Sequence, residues 1–321
     1  MSVCNRCGKE VGVWGGLLTF NKQTNRCGKC ETEVKNILNQ FRQTFIQVCQ
    51  DGVLSDQKLQ WLYGNISQER VDWNEALNFI RSDALRLLER TLALVAADGI
   101  ITEDEAQYIY KMQQQLAIPP DLSRPLLERL QHLRYVSNIR QGKLPVVKPS
   151  IHLESDEKCH LEIAATYQKV NARSVKTIPG RFVATNKKLH FLSQNGGWTI
   201  QWSKIMRVER DSHSIYLELS TKTGNGCYSV MDSLLAEATI DALTRMAKRQ
   251  LVMPQNGSSR HIPQDVKLAV WQRDGGKCVH CSATSYLEYD HIIPFSRGGA
   301  STIGNVQLLC RRCNLGKSDR I

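Results

Sequence analysis

This chain has no apolar run near the ~20 residues that a membrane-spanning helix needs, and its first residues hold no apolar core of the kind a secretory leader carries. Both absences lead us to expect a cytoplasmic protein without a transmembrane segment. Acidic residues are the minority charge: 31 Asp and Glu stand against 42 Lys and Arg, so the formal net charge is +11 and a polyanionic partner is favoured. The cysteines also lack the arrangement of a disulfide framework. Eight of the eleven fall into four Cys-x-x-Cys pairs, Cys4/Cys7, Cys27/Cys30, Cys278/Cys281 and Cys310/Cys313. Paired spacing of this kind is the arithmetic of metal chelation in a reducing compartment. Cys49, Cys159 and Cys227 are left over and read as small apolar core residues. The length allows roughly two to four domains.

Two Cys-x-x-Cys pairs supply four thiolates from two tight turns, which is what a tetrahedral Zn²⁺ requires. The expectation is two structural zinc ions, one on Cys4, Cys7, Cys27 and Cys30, the other on Cys278, Cys281, Cys310 and Cys313. Four thiolates fill the coordination sphere, so any chemistry must come from what the zinc holds together. Between and after the C-terminal pairs stand Asp290-His291 and Asn314. An imidazole titrating near neutrality can activate a water, and a carboxylate with an amide oxygen suits Mg²⁺ or Mn²⁺.

The order Asp290-His291-Ile292-x-Pro294, Gly298-Gly299, Asn305-Val306-x-Leu308, Cys310-x-x-Cys313-Asn314-x-x-Lys317 resembles the HNH (ββα-metal, McrA-like) endonucleases over about the last sixty residues. The resemblance implies His291 as general base, Asp290 and Asn314 as ligands of one catalytic Mg²⁺ or Mn²⁺, and Asn305 as a brace for the loop that aims His291. Asn314 departs from the family's commoner His, which bears on metal preference. The amphipathic stretch from Arg260 to Gly275 matches the helix such nucleases place before the first cysteine pair. Arg260, Lys267 and Arg273 on it are candidate DNA-backbone contacts. Arg311, Arg312 and Lys317 are either phosphate contacts as well or solvated charge.

At the other end, the Cys4–Cys30 segment resembles a small bacterial zinc ribbon, with Trp14, Leu17, Leu18 and Phe20 in a hairpin between the knuckles. A folding staple is the favoured reading over nucleic-acid binding. From Glu31 the apolar residues Val34, Ile37, Leu38, Phe41, Phe45 and Val48 recur at helical spacing. Asp51-Gly52-Val53-Leu54-Ser55 and Asp98-Gly99-Ile100-Ile101-Thr102 are near copies, which predicts an internal helical repeat, and Thr102 with Glu105 forms a capping box. The second copy invites an EF-hand reading, but the carboxylates of the first ligand positions are missing, so calcium is not expected. Leu92 to Glu105, with Ile109 and Leu116-Ala117-Ile118, resembles the TerB-like helical domains of bacterial stress and phage-defence proteins. Asp98, Glu103, Asp104 and Glu105 then read as helix-end charges.

Past the linker Gly142 to Ser150 the period becomes two, and seven strands are predicted: 160–166, 181–185, 189–193, 198–202, 205–209, 215–219 and 227–231. An amphipathic helix over 234–251 closes the segment. Gly180-Arg181-Phe182-Val183-Ala184-Thr185-Asn186 with Trp202-Ser203-Lys204-Ile205 resembles a bacterial pleckstrin-homology-like, GRAM-like barrel. That resemblance implies a docking module for a lipid head group, a peptide or nucleic acid, or else a plain scaffold.

The expected fold is thus multidomain α+β: a zinc ribbon over 1–30, an all-α TerB-like domain over 31–141, a PH-like β-barrel with a C-terminal helix over 151–253, and a ββα-metal HNH domain over 260–321. The expected function is metal-dependent DNA endonuclease, in restriction or phage defence. The competing class is a non-catalytic, zinc-dependent nucleic-acid-binding or adaptor protein, which would not need Asp290, His291, Asn305 and Asn314 together.

Overall fold

The computed structural model describes residues 2–11, 20–171, 174–194, 196–248, 262–295 and 299–317. Trp14, Leu17 and Leu18 of the expected hairpin, Gly298, Arg260 and the tether before it lie outside the described residues. The chain forms two compact units: Met1–Ala97 with Glu103–Glu128 and Pro263–Ile321, and Asp98–Thr102 with Arg129–Ile262.

The first unit starts at a cysteine knuckle. Strand β1 (Ser2–Val3) pairs antiparallel with β2 (Glu10–Val11), and β3 (Phe20–Asn21) with β4 (Arg26–Cys27). Helix α1 (Gly28–Val48) grows directly out of the second knuckle and buries Cys30, Val34, Leu38, Phe41 and Phe45, a stripe at three- and four-residue steps. The knuckles are bolted to the helices by arginine. Arg6 donates to the carbonyls of Glu69 and Arg70 at 3.0 and 3.2 Å and pairs with Glu33, while Arg26 forks onto both carboxylate oxygens of Glu75 at 2.6 and 2.5 Å. Such two-pronged pairing fixes orientation as well as distance.

Helices α2 (Asp56–Gln68) and α3 (Trp73–Phe79) each begin at a side-chain cap, Ser55 accepting from Lys58 N and Asp72 from Glu75 N. Helix α4 (Arg81–Val95) is the most buried of the set, with Leu87, Leu88, Leu92 and Val95 inside. Helices α5 (Glu103–Gln115) and α6 (Pro120–Arg140) follow. The two Asp-Gly turns close in the same way. Asp51 Oδ1 accepts from Val53 N at 3.0 Å and Asp98 Oδ1 from Ile100 N at 2.9 Å, with Gly52 and Gly99 at φ +79° and +74°. The left-handed backbone is what reserves both positions for glycine.

The second unit is a curled half-barrel of seven antiparallel strands: β5 (Cys159–Asn171), β6 (Ser174–Thr185), β7 (Lys188–Leu192), β8 (Trp198–Gln201), β9 (Ile205–Arg210), β10 (Ser214–Leu219) and β11 (Gly226–Val230). They lie in the order β8-β7-β6-β5-β11-β10-β9. All seven predicted strands are present. The first two run far beyond their predicted ends as one long hairpin, from Cys159 opposite Thr185 to Asn171 opposite Ser174. The added residues, 167–171 and 174–180, mix polar and apolar types without a period of two. Helix α7 (Ser233–Ala247) covers the sheet over a core of Leu161, Phe182, Phe191, Trp202, Leu217 and Tyr228. Val136 and Ile139 of α6 pack on its Ala238 and Ala242.

The chain then returns to the first unit. Helix α8 (Gln264–Arg273) precedes the third cysteine pair, and strands β12 (Leu287–His291) and β13 (Val306–Cys310) pair antiparallel from Leu287↔Cys310 to His291↔Val306. Helix α9 (Arg311–Lys317) follows β13 without a break, completing a ββα unit. No helix among the described residues is long and apolar enough to cross a membrane.

Candidate active site

Both cysteine quartets are assembled. In each, the four sulfurs lie within 4.8 Å of one another. The Cys7–Cys27 sulfurs are 3.9 Å apart and the Cys281–Cys310 sulfurs 3.4 Å, bracketing the ~3.8 Å edge of a tetrahedron of Zn–S bonds. The surroundings already favour thiolate at one member of each set. Cys4 is lowered to about 6 by the backbone N–H of Cys27, 3.3 Å from its sulfur, and then by that of Cys7. At Cys278 burial opposes ionisation, but backbone N–H groups of Cys310, Cys281 and His280 outweigh it and bring the thiol to about 6. Cys30, by contrast, is pushed up to about 12 by burial and by its fellow thiols. The donor set is soft, four-fold and compact, which fits zinc.

The C-terminal knuckle holds up the ββα unit. Val279 N donates to Leu308 O, Arg311 N to Tyr286 O, and Cys278, Leu309 and Cys310 form a small core with Ala283, Leu287 and Cys313. Arg273 fastens the same region from α8. Its guanidinium reaches Asp274 and the carbonyls of Ile303 and Val306 at 2.6 and 2.8 Å, while Asp274 Oδ2 accepts from Leu308 N.

Alternation along β12 sets the site. Tyr289 and His291 turn inward and are buried, while Glu288 and Asp290 share the other, half-buried face. His291 Nε2 lies 2.9 Å from Ser301 Oγ, and its ring is 5.9 Å from that of Phe295. Asn305 ties Ile293 to Ala300. Its Oδ1 accepts from Ile293 N at 2.8 Å, and its Nδ2 donates to Ile293 O and Ala300 O at 3.2 and 3.0 Å. Gly299 is required there, because a Cβ would sit 1.8 Å from Ile293 O and 2.8 Å from the Asn305 amide.

Helix α9 lies along the Glu288–Asp290 face. Asn314 Nδ2 donates to Glu288 Oε2 at 2.7 Å, and Lys317 Nζ donates to Asp290 Oδ2 and to the His291 carbonyl, both at 2.6 Å. Gln307 also donates to Asp290 Oδ2, at 3.1 Å, and Arg311 reaches Glu288 at 3.4 Å. The Lys317 ammonium is a cation already held by a carboxylate and a carbonyl oxygen. Asp290, the His291 carbonyl and Asn314 Oδ1 are hard oxygen donors, so the residues present fit a divalent cation of the Mg²⁺ type.

The candidate DNA contacts separate under this geometry. Lys267 is corrected outright: it is fully buried, with its ammonium 2.7 Å from the buried Glu105 carboxylate, and cannot meet a phosphate. Glu105, read from the sequence as the partner of Thr102 in a capping box, lies in the first turn of α5 and is the carboxylate of this buried pair. Arg273 spends its donors on Asp274 and two carbonyls, which makes it a brace. Arg311 and Lys317 face the carboxylates of β12, and Arg312 is exposed. Three residues at the site escaped the sequence reading: Glu288, Ser301 and Gln307. Glu288 was recoverable, since it stands two residues before Asp290 and a strand puts such residues on one face. For Ser301 no local pattern existed.

Residues 278–320 match the HNH endonuclease family, so the chain carries an HNH domain around its second four-cysteine cluster. No curated protein matches the chain. Among solved structures, the DH/PH domains of p115-RhoGEF are 10% identical and align over 61% of this chain and 70% of that one, with a TM-score of 0.23. The PDZ-RhoGEF DH/PH domains in complex with GTP-gamma-S-activated RhoA are 12% identical over 69% and 66%, also at 0.23. Superpositions that loose carry no argument about this chain.

Proposed function

We propose that the protein is a metal-dependent endonuclease that hydrolyses DNA phosphodiester bonds at its HNH domain. The observation that carries this is the ββα unit itself. Asp290 and His291 end β12, Asn305 immediately precedes β13 and Asn314 lies on α9, in a segment that matches the HNH family. A bound Mg²⁺ or Mn²⁺ would supply charge neutralisation at the phosphate and leaving oxygen. Asp290 and Asn314 would hold that ion. His291 would take the proton of the attacking water through a ring nitrogen, and Asn305, bonded to Ile293 and Ala300, would brace the segment that aims it. The zinc proposed for the cysteine quartets is structural at both ends.

Upstream, we read the N-terminal knuckles as a zinc-ribbon staple, the helices as TerB-like and the half-barrel as a PH-like docking module for a lipid head group, peptide or nucleic acid. Net charge supports DNA as partner, with the exposed Arg312 as the candidate phosphate contact and Lys317 engaged by Asp290 and the His291 carbonyl. Cytoplasmic restriction or phage defence is the role this combination suits. The non-catalytic adaptor has two observations on its side: Lys317 neutralises Asp290, and His291 is buried. The test is incubation of the pure, zinc-loaded protein with modified and unmodified plasmid plus Mg²⁺ or Mn²⁺. Cleavage that His291→Ala abolishes supports the nuclease, and DNA binding without cleavage under either metal supports the adaptor.

A further inference from the structure

We propose that Glu288 is a positioning residue that sets the orientation of the Asn314 amide, so that its oxygen and not its nitrogen is presented to the catalytic cation. The proposal rests on the metal-dependent nuclease reading and adds to it a residue and a role.

The argument begins with the amide. Its oxygen and nitrogen ends are nearly equal in shape but opposite in chemistry: Oδ1 can ligate a cation, whereas Nδ2 carries only donors and cannot. An Asn at a ligand position is therefore an ambiguous ligand, in a way that Asp or His is not. Free to turn over, it would spend part of its time with N–H groups facing the cation.

The structure removes that freedom. Glu288 Oε2 lies 2.7 Å from Asn314 Nδ2. An ionised carboxylate only accepts, so a contact this short is made through the nitrogen end alone. Turning the amide over would set two acceptor oxygens against each other. With Nδ2 held by Glu288, Oδ1 is directed away from it.

The wider frame points the same way. Glu288 and Asp290 share one face of β12, and Asn314 and Lys317, three residues apart, share one face of α9. The contacts run in register, Asn314 on Glu288 and Lys317 on Asp290, so α9 follows β12 in the same direction. Arg311, 3.4 Å from Glu288 Oε1, steadies the far oxygen of the carboxylate. Glu288 is only half-buried, its side chain 30% exposed, so a neutral isostere fits without repacking.

The experiment uses the full-length, zinc-loaded chain, with Mn²⁺ binding followed by the electron-paramagnetic signal of the free ion. Glu288→Gln, Asn314→Ala and the double variant complete a cycle, with zinc content and circular dichroism confirming that each is folded. Gln can offer either its oxygen or its nitrogen, so the orientation is no longer set. Glu288→Gln should weaken Mn²⁺ binding on the order of 10- to 100-fold, the usual cost of losing a partner that orients a ligand. The double variant should be no weaker than Asn314→Ala, because Glu288 acts only through that amide. The side-chain NH₂ resonances of Asn314 should also shift in Glu288→Gln before any metal is added.

Three results overturn the proposal. Additive losses in the double variant would make Glu288 a direct ligand. Wild-type Mn²⁺ affinity in Glu288→Gln would leave it without a role, and so would an absence of Mn²⁺ binding by the wild-type protein. The nuclease reading is judged separately, by cleavage and its dependence on His291. A metal-binding cycle that behaves as expected in a protein that cuts no DNA would sink that reading and leave the positioning role standing.

Discussion

The two four-cysteine clusters invite comparison because their sets of thiols are near duplicates. Each has two Cys-x-x-Cys turns, four sulfurs within 4.8 Å, and one thiol brought to about 6 by backbone N–H groups. They differ in what the second turn launches. After Cys27 comes a helix of 21 residues whose apolar stripe enters the helical core, and the knuckle is tied down by Arg6 and Arg26. After Cys310 comes a helix of seven residues with no buried member, whose polar face lies against Glu288 and Asp290. One quartet fastens a knuckle to a core. The other sets a strand and a helix side by side so that polar groups converge. Cysteine spacing thus marks a cluster that can hold a metal and says nothing of chemistry, which depends on the residues carried by the neighbouring elements.

The largest way to break this comparison is to remove one ligand from each cluster. Cys310→Ser should drop the zinc content from two per chain to one, abolish cleavage and open the C-terminal segment to protease, because zinc binding and folding are one equilibrium at such sites. Cys30→Ser should lose the same single zinc yet retain cleavage. Elemental analysis with a plasmid assay reads both, and equal loss of cleavage in the two variants would erase the distinction drawn here.

Next in size is His291→Ala. Loss of a general base should slow cleavage on the order of a hundredfold or more, with DNA affinity unchanged. Single-turnover rates and a binding isotherm check this, and wild-type cleavage by the variant would remove the mechanism.

Anchoring sharpens the comparison further. Arg26 and Glu75 tie down the N-terminal knuckle at a partly exposed pair, whereas α8, ahead of the C-terminal knuckle, carries a pair that is wholly inside, Lys267 with Glu105. Lys267→Met strands a buried carboxylate and should cost about 3–5 kcal/mol of stability. Adding Glu105→Leu should recover most of it, since two apolar residues leave no charge uncompensated. Urea unfolding of the single and double variants measures the difference, and a fully tolerated Lys267→Met would contradict the burial.

The smallest effect is expected at the surface. Lys111 and Gln115 hold the Asp56 carboxyl below its ordinary value, Lys111 contributing most at 2.7 Å. A lowered carboxylate stabilises above its unfolded pKa, and that contribution is lost as pH falls through the folded value. Lys111→Met should therefore lower the melting temperature slightly at neutral pH and leave it unchanged in strong acid. Thermal melts at the two pH values test the sign.

Local chemistry was enough to read much of this protein from its residues. The Cys-x-x-Cys turns, the three-four stripe on α1, the alternation of the seven strands and the paired Asp-Gly turns each depend on neighbours within a few positions. The Asp290-His291 to Lys317 order likewise located the HNH domain. Tertiary structure alone decided matters that depend on distant partners. Lys267 looked like a phosphate contact because a lysine on an amphipathic helix is ordinarily solvated, and nothing near it in the chain announces Glu105. Arg273 looked free for the same reason until the Ile303 and Val306 carbonyls closed around it. Ser301 meets His291 from ten residues along the chain, and Glu288 meets Asn314 across a strand–helix contact. A hydrogen bond is made where two groups come within about 3 Å, and sequence separation places no bound on that distance until the chain has folded.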